Sequence, residues 1–515
     1  SNGQRSPETN EAITNRFERG SLIINYIGHG GEVGWADERI LTLEDINGLQ
    51  NYDMLPLVVT ATCEFSRFDD HTRTSAGEYL YLNEHGGAIS MVTTARLAQS
   101  SPSQLLLYRF YKKLFDREPD GQMPRLGDAY LAAKQNSSSN TKLYVFFGDP
   151  ALHLAYPENN IELLSVNDIS VEDGIDTLKA LKQVSMKGAV KDYSGNVMDD
   201  FNGIVYVSVY DKENEVQTQG SDSPQTSFKI NNSLIFNGKT EVVNGLFTVN
   251  FTVPKDINYS YGKGLISFYA TDYYEDAIGI SSNIIVGGYD NTAIPDESGP
   301  ETRIFIDDTL FVNGMKTNEN PVFYAYIKDT NGINTTGAGI GHDITVQLTG
   351  ATNKTYNLNQ YYEYPLNTDS YGNVIYKFYN LNEGVHYLKF RVWDIYNNST
   401  TKELTFNVVK SSNISLDNLM NYPNPMKTST SFVFEHNQKD NEIGIVIRIY
   451  NIKGQLVRTI KESRYGSTLR IEPIYWDGCS DNGAMLPSGI YIYNVTVTNE
   501  RQETMIGYSK LIISR

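Results

Sequence analysis

The chain lacks most features that would place it in a membrane, on nucleic acid or among disulfide-bonded scaffolds. It has only two cysteines in 515 residues, Cys63 and Cys479, which fall in different predicted domains and make no disulfide framework. No apolar run reaches about 18 residues, so no transmembrane segment is expected. The formal net charge of -18 argues against nucleic acid and anionic membrane surfaces as partners, because like charges repel.

Length and composition instead indicate several folded, strand-rich domains. A chain of 515 residues is too long for one hydrophobic core, and three or four domains are expected. The 36 tyrosines and 41 glycines, with 40% hydrophobic residues, are typical of folded β-rich modules rather than of disorder. The N-terminus shows no signal-peptide pattern, and Ser-Asn-Gly at positions 1–3 resembles a cloning scar, so the natural start is expected upstream.

The sequence pattern changes once, near residue 157. Before that point strands alternate with helices, and one helix repeats Leu106, Phe110 and Leu114 at four-residue spacing. The predicted elements after residue 63 are a helix over 75–83, a strand over 88–92, helices over 102–115 and 126–135, and a strand over 143–147. This alternation predicts βαβ units and a parallel sheet.

Beyond residue 157 the helical pattern disappears. Segments such as 204–209 and 266–269 alternate apolar and polar residues between Gly, Asn and Asp turns, which is typical of antiparallel sandwiches. A segment over 287–302 contains two prolines and is typical of a linker. The predicted domains are an α/β domain over 1–157, β-sandwiches over 158–288 and 302–410, and a last all-β module over 415–515.

Two apolar runs in the first domain each stop at a chemically reactive side chain. Residues 22–31 run up to the glycine-flanked His29, and residues 57–63 form a β-branched run that stops at Cys63. Runs of this length bounded by Gly or Pro suit buried parallel strands. Ligands of open α/β sheets lie beyond the carboxyl ends of the strands. If the two strands are neighbours, a thiol and its base meet at one edge of the sheet.

This pair of residues predicts nucleophilic catalysis. A thiol is nucleophilic only as the thiolate, and a histidine within hydrogen-bond reach takes its proton or holds the charge. The glycines beside His29 leave room for a substrate backbone. The backbone amides of Gly30 and Cys63 lie at strand ends facing the same cleft and are the expected oxyanion donors.

Other interpretations stay open at this point. A lone cysteine at a strand end is, before its neighbours are considered, more often a small buried hydrophobic residue than a nucleophile. His71 is also close to Cys63 in sequence, but its charged loop is typical of a solvated surface histidine. A metal site needs three or four ligands, and one cysteine with scattered histidines shows no recognised spacing. Metal binding is therefore left open, and no cofactor is expected.

Five short motifs together resemble the gingipain-type cysteine peptidases. These motifs are Tyr26-Ile27-Gly28-His29-Gly30, Trp35-Ala36-Asp37, Thr60-Ala61-Thr62-Cys63, Gly86-Gly87-Ala88-Ile89 and Gly148-Asp149-Pro150. The resemblance covers about residues 5–157 and implies a caspase-like fold, with His29 as the catalytic base and Cys63 as the nucleophile. In that family the acid that orients the histidine lies in preceding strands that this chain lacks. The chain is therefore expected to be the carboxyl-terminal section of a larger protein, with little activity by itself.

The tail has a second set of motifs. These are Asn421-Tyr422-Pro423-Asn424-Pro425, Tyr475-Trp476-Asp477-Gly478, Pro487-Ser488-Gly489-Ile490-Tyr491 and Lys510-Leu511-Ile512-Ile513. They are similar to the carboxyl-terminal domain carried by type IX secretion cargo in Bacteroidota. An ordinary immunoglobulin-like module of the flagellar-hook-cap type shares the Trp-Asp-Gly and Pro-x-Gly-x-Tyr features and stays open as an alternative.

The whole arrangement, a partial caspase-like domain followed by three all-β immunoglobulin-like sandwich modules, resembles the surface sortases of the type IX system. The resemblance implies an enzyme that removes carboxyl-terminal signals from secreted cargo and joins the cargo to lipopolysaccharide. It also implies outer-membrane secretion components as partners and the cell surface of a Gram-negative bacterium as the location.

Three hypotheses about function follow from these observations. The first is the surface sortase, and the second is a secreted gingipain-like protease whose tail is its own export signal. The third is a non-catalytic surface adhesin or assembly factor in which Cys63 is structural. Hydrolysis and transpeptidation share the attack of a thiolate on a peptide carbonyl, so the residues do not decide between them.

Overall fold

The computed structural model describes residues 5–119, 122–135, 139–174, 176–220, 224–336, 341–368, 370–410, 414–438, 441–466 and 469–515. The chain divides into two compact units, residues 1–156 and residues 157–515. None of the helices in the described ranges combines the length and the apolar character that crossing a membrane requires.

The first unit contains all five α-helices of the described chain and seven strands. The helices are α1 Pro7–Glu18, α2 Leu43–Gly48, α3 Ala76–Leu82, α4 Ser100–Leu114 and α5 Leu126–Lys134, with 3₁₀ turns at Tyr52–Met54 and Ser139–Leu143. The strands are β1 Ile23–Ile27, β2 Gly30–Gly31, β3 Gly34–Trp35, β4 Leu41–Thr42, β5 Leu57–Ala61, β6 Ser90–Thr94 and β7 Tyr144–Phe147. The sequence predicted α3, α4 and α5 within two residues at each end, and it missed α1 and α2.

The main sheet of this unit has the order β1-β5-β6-β7. Strands β1, β5 and β6 are parallel, and β7 is antiparallel to β6. Strands β2, β3 and β4 form a small separate sheet directly after β1.

Helix α4 covers one face of the main sheet because its apolar residues recur every four positions. Leu106, Phe110 and Leu114 share a buried cluster with Leu57 and Val59 of β5. The opposite face is buried by different residues. There Val58 and Met91 of the sheet share a cluster with Phe17, Trp35 and Phe65. Both faces of β5 are therefore buried, which agrees with its continuous apolar run.

The second unit begins with thirteen strands. They are β8 Asn159–Val166, β9 Ile169–Ser170, β10 Thr177–Ala180, β11 Gln183–Lys191, β12 Gly203–Tyr210, β13 Asn214–Gln217, β14 Ser227–Ile230, β15 Leu234–Val243, β16 Leu246–Thr252, β17 Gly262–Lys263, β18 Leu265–Thr271, β19 Asp276–Ser281 and β20 Ile285–Tyr289. Their largest sheet has the order β11-β16-β15-β12-β18-β19-β8-β9, and β11 also pairs with β8, so the pairing runs round in a closed ring.

Nine further strands form two sheets with the orders β21-β23-β27-β26 and β22-β29-β28-β24-β25. They are β21 Glu301–Ile306, β22 Lys316–Thr317, β23 Val322–Lys328, β24 Thr345–Gly350, β25 Lys354–Asn357, β26 Tyr362–Glu363, β27 Tyr371–Lys377, β28 Gly384–Trp393 and β29 Ser399–Val408, with a 3₁₀ turn at Asn359–Tyr361. One continuous buried apolar cluster includes side chains from both this group and the preceding group of strands.

The last seven strands have a buried cluster of their own. They are β30 Leu416–Tyr422, β31 Thr430–His436, β32 Glu442–Asn451, β33 Leu456–Tyr465, β34 Ile474–Trp476, β35 Gly489–Thr498 and β36 Thr504–Ile513. Their sheets have the orders β30-β31-β34 and β33-β32-β35-β36. The chain is thus a mostly β, multidomain protein, and the α-helices of its described residues lie in the first unit. Its caspase-like and immunoglobulin-like character stays a prediction.

Candidate active site

Strands β1 and β5 bring His29 and Cys63 to the same edge of the main sheet. The two strands pair in parallel, with Ile23 opposite Leu57 and Ile27 opposite Ala61. The pairing ends with a hydrogen bond of 3.2 Å from Gly28 N to Ala61 O. His29 and Cys63 each follow two residues after the partners Ile27 and Ala61, so they leave adjacent strands at the same level.

The alternation of side chains along the strands assigns both residues to the α4 face. In β5, Leu57, Val59 and Ala61 belong to the cluster on the α4 face, and Cys63 continues this odd-numbered series. In β1, Ile23 packs against the same cluster. His29 continues the odd-numbered series of β1. Register and alternation therefore place the two residues at adjacent strand ends, and their meeting as a catalytic pair stays a prediction.

The loop after β1 is held at the backbone of His29, whose side chain is exposed. The carbonyl oxygen of His29 accepts a hydrogen bond of 2.6 Å from the Tyr26 hydroxyl and one of 2.8 Å from Ala36 N. The Tyr26 ring stacks on Trp35 with centroids 4.5 Å apart. Burial, with a smaller contribution from the charge of Glu38, raises the pKa of Tyr26 to about 12, so its hydroxyl stays a donor at neutral pH.

Close approach of the backbone requires glycine at position 30. A Cβ there would lie 2.4 Å from Thr62 Oγ1 and 3.0 Å from Gly34 O. No such contact limits Gly31, where a Cβ would meet nothing within 4 Å. The glycine next to the histidine thus lets the His29 loop pack directly on the residue before Cys63.

Cys63 is half-buried at the start of a tight turn. Its Sγ lies 3.9 Å from Ala98 O, just before α4. The next residue, Glu64, has a φ of 50°, in the left-handed region, and Glu64 N donates to Arg96 O at 3.3 Å. No hydrogen bond between the thiol and the His29 imidazole occurs among the described residues. The two residues lie at the ends of neighbouring strands, but among the described residues their side chains form no hydrogen bond with each other.

The two predicted oxyanion donors lie beside this pair. Gly30 and Trp35 are opposite each other in the antiparallel pairing of β2 with β3. Ala36 N donates to His29 O, so Gly30 and Trp35 are a non-hydrogen-bonded pair of this ladder. The Gly30 amide is therefore not used in the pairing of β2 with β3. The Cys63 amide follows the last ladder bond of β5. The structure places both amides at the strand ends, and their role stays a prediction.

A charged network that the sequence pattern did not reveal braces the loop after Cys63. Glu32 accepts hydrogen bonds from Arg67 at 2.9 Å and from Arg73 at 3.3 Å. Arg67 also lies 3.5 Å from Glu64. Glu32 is 35 residues from Arg67 and 41 residues from Arg73 in sequence, and no local spacing signals such contacts.

The remaining reactive residues lie elsewhere. His71 is exposed in its loop, as the sequence predicted. Cys479 belongs to the second unit, where its carbonyl oxygen accepts a hydrogen bond of 2.9 Å from Trp476 Nε1. The structure thus brings one cysteine and one histidine to adjacent strand ends and leaves Cys479 in the last module.

One group of three carboxylates in the described chain has oxygens within 4.8 Å of one another: Asp296, Asp329 and Asp394. Burial is the main cause that raises the pKa of Asp329 to about 6, and burial also raises the pKa of Asp394. No further observation points to an ion there. The cluster is therefore a partly buried group of like charges rather than an assigned metal site.

The first unit is the part of the chain that matches a known protein family. The model of peptidase family C25 matches residues 1–155. This range is similar to that peptidase family and is called the C25 domain below. The gingipain-type resemblance predicted from the sequence motifs is confirmed over this range, and a cysteine-peptidase-like function is supported for the C25 domain. No curated protein sequence matches the chain.

Solved structures give weaker likenesses for the C25 domain and the rest of the chain. The dimeric latent PorU from Porphyromonas gingivalis is 28% identical, covering 96% of this chain and 46% of that chain, with a TM-score of 0.33. The Arg-specific cysteine proteinase gingipain R is 15% identical, covering 56% and 57% of the two chains, with a TM-score of 0.27. The complex of Porphyromonas gingivalis RgpB pro- and mature domains is 14% identical, covering 56% and 58%, also with a TM-score of 0.27. The chain spans about half the length of these structures. Their TM-scores are below 0.5, so these likenesses do not establish a fold or a function for the chain.

Proposed function

We propose that this chain is a section of a cell-surface cysteine endopeptidase of the PorU type, which acts as a sortase on type IX secretion cargo. The observation that carries the proposal is the register of β1 and β5, which brings His29 and Cys63 to adjacent strand ends. The match of residues 1–155 to peptidase family C25 supports a cysteine peptidase. The sequence resemblance of the tail and of the domain order to PorU supports the finer assignment.

The proposed chemistry uses four groups of this chain. The Cys63 thiolate attacks the peptide carbonyl that precedes the signal domain of the cargo. The amides of Gly30 and Cys63 stabilise the oxyanion that develops there. His29 takes the thiol proton and gives it to the leaving amine, which leaves cargo joined to Cys63 as a thioester. Adjacent strands lie about 4.8 Å apart, and this spacing is compatible with a thiol and an imidazole that meet beyond the two strand ends.

The second half of the reaction decides between a sortase and a protease. Water attacking the thioester gives hydrolysis, and an amine on a lipopolysaccharide acceptor gives transpeptidation. We propose transpeptidation at the outer-membrane surface of a Gram-negative bacterium, with outer-membrane secretion components as further partners. The secreted gingipain-like protease is the second candidate, since it uses the same catalytic pair.

The experiment that tests the proposal is a product analysis with the full-length protein. Cargo carrying its carboxyl-terminal signal domain is incubated with the enzyme, with and without a glycan amine. A sortase gives cargo that has lost its signal domain and exceeds the mass of the hydrolysed product by the acceptor less one water, and this product forms at the expense of the hydrolysed one. Hydrolysis alone at saturating amine would exclude the sortase and favour the protease. Intact cargo in both reactions, with a folded enzyme, would favour the adhesin.

A further inference from the structure

A buried tyrosine in the first unit has a hydroxyl group without a partner. Tyr144, the first residue of β7, is 1% exposed. Its hydroxyl oxygen is buried and forms no hydrogen bond within the described chain. Burying a hydroxyl without a partner costs free energy, so most buried hydroxyls are paired and this one requires an explanation.

The register of the main sheet brings Tyr144 level with the end of β5. Tyr144 lies opposite Thr94 of β6. The register of β5 with β6, continued by two residues, places Ala61 level with Thr94. Ala61 and Tyr144 share the buried cluster on the α4 face of the sheet, and Cys63 continues the side-chain series of Ala61 on that face. Tyr144 and Cys63 therefore lie on one face, at the same end of the sheet.

The start of α4 lies beside both groups. Cys63 Sγ is 3.9 Å from Ala98 O, two residues before the helix begins. Burial raises the pKa of Tyr144, the neighbouring Ser103 hydroxyl in the first turn of α4 opposes this rise, and the negative charge of the Cys63 thiolate adds to it. The effect of Cys63 agrees with the register, because electrostatic interactions fall off with distance. The Tyr144 hydroxyl keeps its proton and is a donor at neutral pH.

Ser103 is the alternative partner of this hydroxyl. Its Oγ donates to Gln99 O at 2.6 Å within α4, so its single proton is used. Ser103 could still accept from Tyr144, but no hydrogen bond joins the two hydroxyls in the described chain.

A better acceptor for the Tyr144 hydroxyl forms when Cys63 ionises. As a thiol, Cys63 has a proton to donate to Ala98 O. As a thiolate it has no proton, and the partial negative charge of that carbonyl oxygen repels it. Hydrogen bonds to an ionised acceptor are about twice as strong as those between neutral groups. The thiolate therefore favours a donor such as the Tyr144 phenol.

We propose that the Tyr144 hydroxyl donates a hydrogen bond to the Cys63 thiolate and acts as a positioning residue for the nucleophile. This role rests on the proposed peptidase function, in which His29 takes the thiol proton. The hydroxyl is unpaired while Cys63 is a thiol and paired once Cys63 is a thiolate. Its burial therefore destabilises the resting site and favours ionisation of the nucleophile.

The test measures the thiol itself in the 515-residue chain carrying Cys479→Ala, where Cys63 is the only thiol. The rate of alkylation by iodoacetamide is followed from about pH 5 to about pH 10, because only the thiolate reacts. Tyr144→Phe should move the midpoint of this profile upward by about one pH unit, which makes alkylation about tenfold slower below the midpoint. Its thermal stability should stay the same or rise, since the lost hydroxyl is unpaired in the thiol state. An unchanged midpoint in folded Tyr144→Phe would overturn the proposal.

Two variants are matched controls. Tyr156→Phe removes a tyrosine hydroxyl that donates to Leu114 O at 2.7 Å, at the other end of α4, and should leave the midpoint unchanged. Ser103→Ala removes the alternative partner and should also leave the midpoint unchanged. A shift in Ser103→Ala as large as that in Tyr144→Phe would overturn the proposal, because it would assign the effect to the start of α4.

Cargo processing by the full-length protein separates this proposal from the peptidase function. If Cys63→Ala still processes cargo, the proposed function fails, while a shifted alkylation profile would still show the hydrogen bond from Tyr144. If Cys63→Ala is inactive and the alkylation profile of Tyr144→Phe is unchanged, only the role of Tyr144 fails. The titratable or charged side chains around the turn are the same in every variant: His29, Glu64, Arg67 and Arg96.

Discussion

Ile27 and Ala61 are register partners at the ends of two parallel strands, and the residues two places beyond them are His29 and Cys63. This relationship is what joins a histidine and a cysteine more than thirty residues apart in sequence into one candidate site. Neither residue contacts the other through a hydrogen bond in the described chain. The predictions below therefore test both the pair and the loop that positions it.

Replacing each cysteine in turn should show that only Cys63 is needed for processing of the cargo. In the full-length protein, Cys63→Ala should reduce processing of signal-bearing cargo by about 10³-fold or more, because the nucleophile is lost. Cys479→Ala should process cargo at the wild-type rate, since Cys479 lies in the other unit. Cleavage rates measured by gel or mass spectrometry give the comparison. Equal losses in two folded variants would contradict the assignment.

Adding one methyl group at position 30 should disturb the site. The Cβ of Gly30→Ala would meet Thr62 Oγ1 at 2.4 Å and a backbone oxygen at 3.0 Å, so the His29 loop must move. We expect a destabilisation of about 1–3 kcal/mol and a fall in kcat of about tenfold or more. Gly31→Ala is the control, because its Cβ would meet nothing within 4 Å. A Gly30→Ala enzyme with wild-type kinetics would show that this close approach is not needed.

Removing the Tyr26 hydroxyl should lower activity, because this hydroxyl bonds to the backbone of His29. Tyr26→Phe removes the 2.6 Å hydrogen bond to His29 O and keeps the ring that stacks on Trp35. We expect a loss of stability of about 0.5–1.5 kcal/mol and a fall in kcat with little change in KM. Tyr108→Phe, at a residue that is 66% exposed, is the control for both measurements. A change in KM alone would place Tyr26 in substrate binding instead.

Asp329 should make the second unit less stable as pH rises. Its folded pKa of about 6 lies above the usual value of 3.8, so the folded state holds the proton more tightly than the unfolded state. The free energy of unfolding should therefore fall between about pH 4 and pH 6 and stay flat for this group above that range. Asp329→Asn should raise stability at pH 7.5 by about 1–2 kcal/mol, after allowance for partial solvent screening.

Denaturant unfolding at several pH values, with a chelator present, measures this effect. Asp290→Asn is the contrasting control, because hydrogen bonds from Thr292 lower the pKa of Asp290 and its removal should act in the opposite direction. An Asp329→Asn variant that is less stable than wild type at pH 7.5 would show that the carboxylate form is favoured in the folded state.

Much of the first unit was predictable because its signals are local. The runs at 22–31 and 57–63 are apolar enough to be buried strands wherever they pack, and Leu106, Phe110 and Leu114 can share a face only in a helix. Helices α1 and α2 were missed because their periodicity is weak. Phe17 is the only fully buried residue of α1, and α2 is a six-residue helix recognisable mainly by its capping box at Thr42.

The sequence by itself determined the candidate residues: a histidine and a cysteine at strand ends, glycine beside the histidine, and the motifs of a C25-type domain. Only the tertiary structure decided which strands are neighbours, since register arises from packing on both faces of a sheet. The same holds for the contacts of Glu32 with Arg67, the buried carboxylates of Asp329 and Asp394, and the unpaired hydroxyl of Tyr144 beside the start of α4. Each of these features joins residues from separate segments of the chain. The burial that raises the pKa of the two carboxylates exists only in the folded chain.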